Sequence, residues 1–152
     1  MSSVFGKLNL KDQDEILVIN APASFEPELA SLVGVGIKRS LADVASVVFS
    51  LGFVTRQKEV DAIAKGVAKK ARGDAIVWFA YPKGSSKRYT CEFNRDTGWA
   101  ALGNAGFEPV RMVAIDEDWS AVRFRRVEFI KMMTRDRRAT LSKEGKKRTK
   151  KK

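Results

Sequence analysis

The chain has 152 residues, 44% of them hydrophobic, which is enough for one domain with its own buried core and no metal or disulfide staple. Cys91 is the single cysteine and histidine is absent, so disulfide frameworks, CxxC motifs, Ser-His and Cys-His nucleophile pairs and most zinc sites are excluded. The net charge of +11 is uneven: residues 131–152 hold 11 Lys/Arg against Asp136 and Glu144, so the body is nearly balanced and the basicity belongs to a C-terminal tail.

Met1–Asp14 reads as a polar lead-in with a turn at LKDQDE. It has no apolar h-region, and no run in the chain approaches the roughly 20 apolar residues of a membrane span, so the expected compartment is the cytoplasm. Glu15–Asn20 (EILVIN) is a short apolar strand stopped by Ala-Pro. Ser24 is placed to cap a helix through Leu32, with Pro27 tolerated in the first turn. Gly34 and Gly36 precede a weak strand, Ile37–Ser40. The link onward is too short for a parallel crossover, so this strand is expected as an antiparallel edge or as irregular chain.

Ala45–Val54 (ASVVFSLGFV) is almost wholly apolar, as expected of a strand whose two faces are both covered. Thr55 then caps the clearest helix. Val60, Ile63, Ala64, Val67, Ala68 and Ala71 recur at helical spacing on one face. Asp61 and Lys65 form a favourable i,i+4 pair, Lys69, Lys70 and Arg72 complement the macrodipole, and Gly73 suits the C′ position. Ala75–Tyr81 completes a strand–helix–strand unit.

After the loop from Pro82, Asp96 is expected to cap a short helix containing Trp99 and Leu102 and ended by Gly106. Pro109–Ile115 and Ser120–Glu128 read as an antiparallel hairpin around the acidic turn DEDW. The expected domains are an α/β body over 1–130 and a disordered basic tail over 131–152. The fold class is a Rossmann-like three-layer α/β domain with a mostly parallel sheet ending in an antiparallel hairpin.

This order of elements resembles a shortened class I methyltransferase. The resemblance fails at the cofactor end, where NAPASFEP stands in place of the glycine-rich turn that lets backbone approach a cofactor. The words IVWFAYPKGSSK, RDTGW and DWSAVRFR, from about Gly73 to Arg126, are similar to an uncharacterised bacterial family of unknown function. That resemblance implies a fold and no activity.

Candidate site residues gather at the expected carboxyl edge of the sheet, where open α/β folds bind ligands. Lys83, Ser85, Ser86 and Lys87 in KGSSK, with Arg95 and the amides that open the helix at Asp96, suit a phosphate or carboxylate. A plain solvated loop is the competing reading. Asn20 closes the same edge, and Trp99 and Trp119 are the aromatic candidates. Strand alternation puts Arg123 and Arg125 on one face and Val122 and Phe124 on the other. Those arginines either protect an edge strand or line one anion crevice with Lys83. Asp116, Glu117 and Asp118 read as a solvated turn rather than a metal cluster, and Cys91 as a structural cysteine.

The favoured reading is a non-catalytic binding module for a small anionic ligand or a protein partner, with no cofactor. Two others stay open. One is a nucleic-acid-associated protein whose lysine tail binds weakly, without sequence preference and in a salt-sensitive way. The other is an atypical S-adenosylmethionine-dependent transferase. With Pro22 in the turn after the first strand, S-adenosylmethionine is not expected to bind.

Overall fold

A computed structural model describes residues 3–93 and 98–130. The tail over 131–152, and with it the expected disorder, lies outside the described residues. So do Arg95 and Asp96.

Six strands form one sheet in the order β2-β1-β3-β4-β6-β5. They are β1 (Glu15–Ile19), β2 (Gly36–Lys38), β3 (Val47–Phe53), β4 (Ala71–Pro82), β5 (Phe107–Ala114) and β6 (Trp119–Arg126). The pairs β1–β2, β1–β3 and β3–β4 are parallel, whereas β6 runs antiparallel to both β4 and β5. The helices are α1 (Ser3–Lys7), α2 (Glu26–Ala30), α3 (Gln57–Lys70) and α4 (Ala100–Asn104). The expected Rossmann-like α/β architecture with a terminal hairpin is the one observed.

The apolar runs are explained by burial on both faces. Ile16, Val18, Phe49, Leu51, Trp78 and Ala121 pack on one side of the sheet with Phe5 and Leu8 from the N-terminal segment and with Phe25 and Leu29. Val77, Phe79, Val122 and Phe124 pack on the other side with Val60, Ile63, Ala64 and Val67 of α3 and Leu102 of α4. The helical periodicity of α3 therefore picks out its buried face correctly.

Several local expectations give way to tertiary packing. The N-terminal lead-in is part of the core: Phe5 and Leu8 are fully buried, and the Trp78 indole Nε1–H donates to the Leu8 carbonyl at 2.8 Å. Strand β2 is parallel, because it pairs with β1 across the residue 20–35 connection and never touches β3. The short link to β3 is thus no obstacle. Ser24 does not cap α2; it sits in a 3-10 turn, Ala23–Phe25, that leads into the helix. Arg56, not Thr55, holds the N-cap position of α3, and the Glu59 Oε1 accepts from the amides of Thr55 (2.9 Å) and Arg56 (3.0 Å). Asp61 accepts from Gln57 at 3.0 Å. Gly73 lies inside β4, which starts directly at Ala71 and takes a left-handed residue (φ 58°) there. Gly106 (φ 89°) does end α4 and opens β5.

Candidate functional site

The chain leaves β1 towards β2 on one side and returns to β3 on the other. The carboxyl ends of β1 and β3 therefore form the topological switch point, where the two connections diverge and leave a crevice. Asn20 ends β1 in the left-handed region (φ 60°), a conformation that asparagine tolerates better than most side chains. Its Nδ2 lies 3.5 Å from the Phe53 carbonyl at the end of β3. A crevice of about 400 Å³ opens here between Asn20, Pro22 and Ala23 on one bank and Phe53, Thr55 and Glu59 on the other. Tyr89 and Trp119 form its third wall.

That wall is aromatic. The Trp119 ring meets Phe53 edge-on at 5.1 Å and Tyr89 at 4.8 Å. Trp119 is 4% exposed, yet its Nε1 is buried with no acceptor among the described residues. An unpaired buried donor costs about 1–3 kcal/mol, so something must make up that cost or the site stores it. Glu59 is the carboxylate on the crevice. Its Oε1 carries the α3 capping bonds and also accepts from the Thr55 hydroxyl at 3.3 Å. Among the described residues none donates to its Oε2.

A second crevice, about 740 Å³, opens on the other side of Tyr89, which lines both. Its walls are Tyr81, Phe93, Met112 and Val113, with Lys83 as the charged lining residue and Cys91 at the side. Burial pushes the Cys91 thiol above its ordinary range, which favours the neutral, unreactive form.

The KGSSK loop is tied to the acidic turn rather than free. The Lys83 amide donates to the Asp118 carbonyl at 2.8 Å, and the Ser86 hydroxyl donates to the Asp118 carboxylate at 2.9 Å. The same hydroxyl accepts from the amides of Arg88 and Tyr89, which sets Tyr89 between the two crevices. Asp116 Oδ1 accepts from the amides of Asp118 and Trp119 and so shapes the hairpin turn. Among the described residues no group of acidic or cysteine side chains is arranged to hold a metal.

Of the expected site residues, Asn20 and Trp119 line the first crevice, and Lys83 and Ser86 line the second. Ser85 and Lys87 are exposed on the loop and line neither. Trp99 lines neither crevice: it is 4% exposed and packs against Phe79, Tyr81, Phe93 and Phe124. Arg123 and Arg125 do not join Lys83 in one crevice. They lie towards the opposite end of β6, where Arg125 pairs with Asp74 at 2.6 Å. Sequence reading missed Tyr89, Phe53, Thr55 and Glu59 as site residues; the available signal is that Phe53 ends β3 and Thr55 follows it.

The sequence matches no protein-family model, including any for the unknown-function resemblance, and it matches no curated protein. The fold does have counterparts among solved structures. A SAM-dependent methyltransferase from Aquifex aeolicus aligns with a TM-score of 0.61 at 13% identity, over 82% of this chain and 88% of that one. The N-methyltransferase NodS from Bradyrhizobium japonicum WM9 gives 0.51 at 11% identity, over 82% and 92%. A ribosomal protein L11 methylase from Lactobacillus delbrueckii subsp. bulgaricus gives 0.51 at 9% identity, over 81% and 77%. The chain therefore has the fold of these methyltransferases. The favoured reading of a non-catalytic binding module is corrected here: the solved structures that share this fold are SAM-dependent methyltransferases, which favours the alternative of an atypical transferase. Among the described residues no helix is long and apolar enough to cross a membrane.

Proposed function

We infer that this protein is an atypical S-adenosylmethionine-dependent transferase whose donor site is the switch-point crevice. The observation that carries the reading is the position of that crevice, at the carboxyl ends of β1 and β3 in a sheet shared with SAM-dependent methyltransferases.

The residues present suit the cofactor by side chains where a glycine turn would use backbone. Asn20 supplies the left-handed turn after β1, with only Ala21 beyond it before Pro22. The end of β2 offers no carboxylate for a ribose: Lys38, Arg39 and Ser40 follow, and Arg39 is engaged with Glu26 at 2.8 Å. Glu59 is the nearest substitute, because its Oε2 takes no bond from α3. Phe53, Tyr89 and Trp119 would wall the cofactor, and aromatic faces attract a cationic centre such as a sulfonium. The Trp119 Nε1 marks a donor left for an acceptor that no described residue provides. When bound, S-adenosylmethionine supplies an electrophilic methyl group. Tyr89, shared by both crevices, holds the boundary between donor and acceptor. Closing out water across it is the chain's own contribution to transfer.

Isothermal titration of the full chain with S-adenosylmethionine and S-adenosylhomocysteine tests this. The expected result is saturable binding of both, competing with each other, and weakened at least tenfold by Glu59→Gln. No heat and no competition at millimolar concentration overturns it.

A further inference from the structure

Beyond the switch-point crevice, the arginines of the hairpin form a separate feature of the molecule. Strand β6 lies between β4 and β5, so Arg123 and Arg125 do not guard a sheet edge. Arg123 stands opposite Trp78 on β4 and opposite Arg111 on β5, and all three side chains leave the same face. A register irregularity between Pro109 and Arg111 brings Arg111, rather than Val110, opposite Arg123. Bulges of this kind re-aim side chains and are frequent beside binding sites. Here the irregularity sets two like charges face to face, an arrangement that destabilises a sheet when nothing lies between them.

Asp74 holds Arg125 through bonds of 2.6 to 3.1 Å, and Glu108 stands opposite Arg125 in the register. Lys7 Nζ reaches the Ala114 carbonyl on the same hairpin and adds positive charge. Among the described residues neither Arg111 nor Arg123 makes a direct ion pair, although Asp74 lies near enough to favour the Arg123 charge. Arg123 is half-buried, and its Nε is sealed from solvent without an acceptor. Burial first, then repulsion from Arg125, disfavours its charged form; Asp74 opposes this, and Arg111 adds a smaller repulsion.

We propose that Arg111 and Arg123 form an anion site for a phosphate-class oxyanion, separate from the transferase crevice. A tetrahedral oxyanion between the two guanidiniums would accept from their terminal N–H groups and bridge the like charges. Arginine forks suit that geometry better than a lysine point charge would. Such a phosphate comes in two forms, free or within a polynucleotide backbone, and the chemistry of recognition is the same.

The test reads the site directly. In ¹⁵N-labelled full chain, the Arg123 side-chain Nε–H resonance is followed during titration with inorganic phosphate, with chloride at matched ionic strength as control. A saturable shift with phosphate alone, lost in Arg111→Gln, is expected. A short single-stranded RNA is the second arm. Saturation at lower concentration than phosphate assigns the site to a backbone phosphate, and no tighter saturation assigns it to the free anion. In phosphate-free, low-salt buffer Arg111→Gln should also raise the thermal midpoint by roughly 2 °C, since it relieves the repulsion. An Arg123 Nε–H signal that ignores phosphate, or moves equally with chloride, overturns the proposal. So does a midpoint that falls in Arg111→Gln without phosphate.

Discussion

Two buried tryptophans on neighbouring strands offer a matched comparison. Trp78 is fully buried on β4 and donates its Nε1–H to the Leu8 carbonyl at 2.8 Å. Trp119 is 4% exposed on β6, and its Nε1 has no acceptor among the described residues. Replacing either by phenylalanine removes similar apolar volume, worth about 1.5 kcal/mol in transfer and cavity cost. The polar terms have opposite signs. Trp78→Phe strands the buried Leu8 carbonyl, adding about 1–3 kcal/mol, for a total near 3 kcal/mol. Trp119→Phe deletes an unpaired donor and recovers a similar amount, so the net change should lie within about 1 kcal/mol of zero. For a chain of this length the difference corresponds to roughly 10 °C in thermal midpoint. Urea unfolding followed by far-UV circular dichroism, with m-values compared to exclude changes in the unfolded state, measures both. Equal destabilisation by the two substitutions would refute the reasoning. It would mean that either the Trp78–Leu8 bond or the unpaired state of Trp119 does not exist in solution.

Phe5→Ala should cost about 3–5 kcal/mol, because Phe5 is fully buried against Phe25 and Phe49; a loss below 1 kcal/mol in the same assay would return the N-terminal segment to a loose lead-in. Cys91 should react with iodoacetamide more slowly than a free thiol at pH 7 and speed up only at higher pH, since burial raises its pKa and the thiolate is the nucleophile. Alkylation at pH 7 faster than that of free cysteine, followed by mass spectrometry, would contradict that environment.

Periodicity and punctuation alone determine much of this protein. The apolar face of α3, the two strands that flank it, the break at Gly106 and the hairpin around DEDW are all legible, because each depends on residues a few positions apart. The alternation that separates Arg123 and Arg125 from Val122 and Phe124 is equally local. What tertiary structure decided is non-local. Phe5 and Leu8 gain their burial from Phe25, Phe49 and Trp78, none of which a polar-looking opening segment announces. Strand β2 is parallel because its partner is β1, so its distance from β3 in sequence is irrelevant. Lys83 and Arg123 looked like neighbours in one crevice. The antiparallel pairing of β4 and β6 places Trp119 beside Pro82, so each further residue along β6 carries the arginines away from the KGSSK loop. Tyr89 and Asn20 face one crevice only because the sheet brings the ends of β1 and β3 together and the Ser86 hydroxyl holds the following chain across them. A strand's faces are set by its own alternation, whereas its neighbours are set by whichever pairing buries the most apolar surface and satisfies the backbone, and that choice belongs to the whole chain.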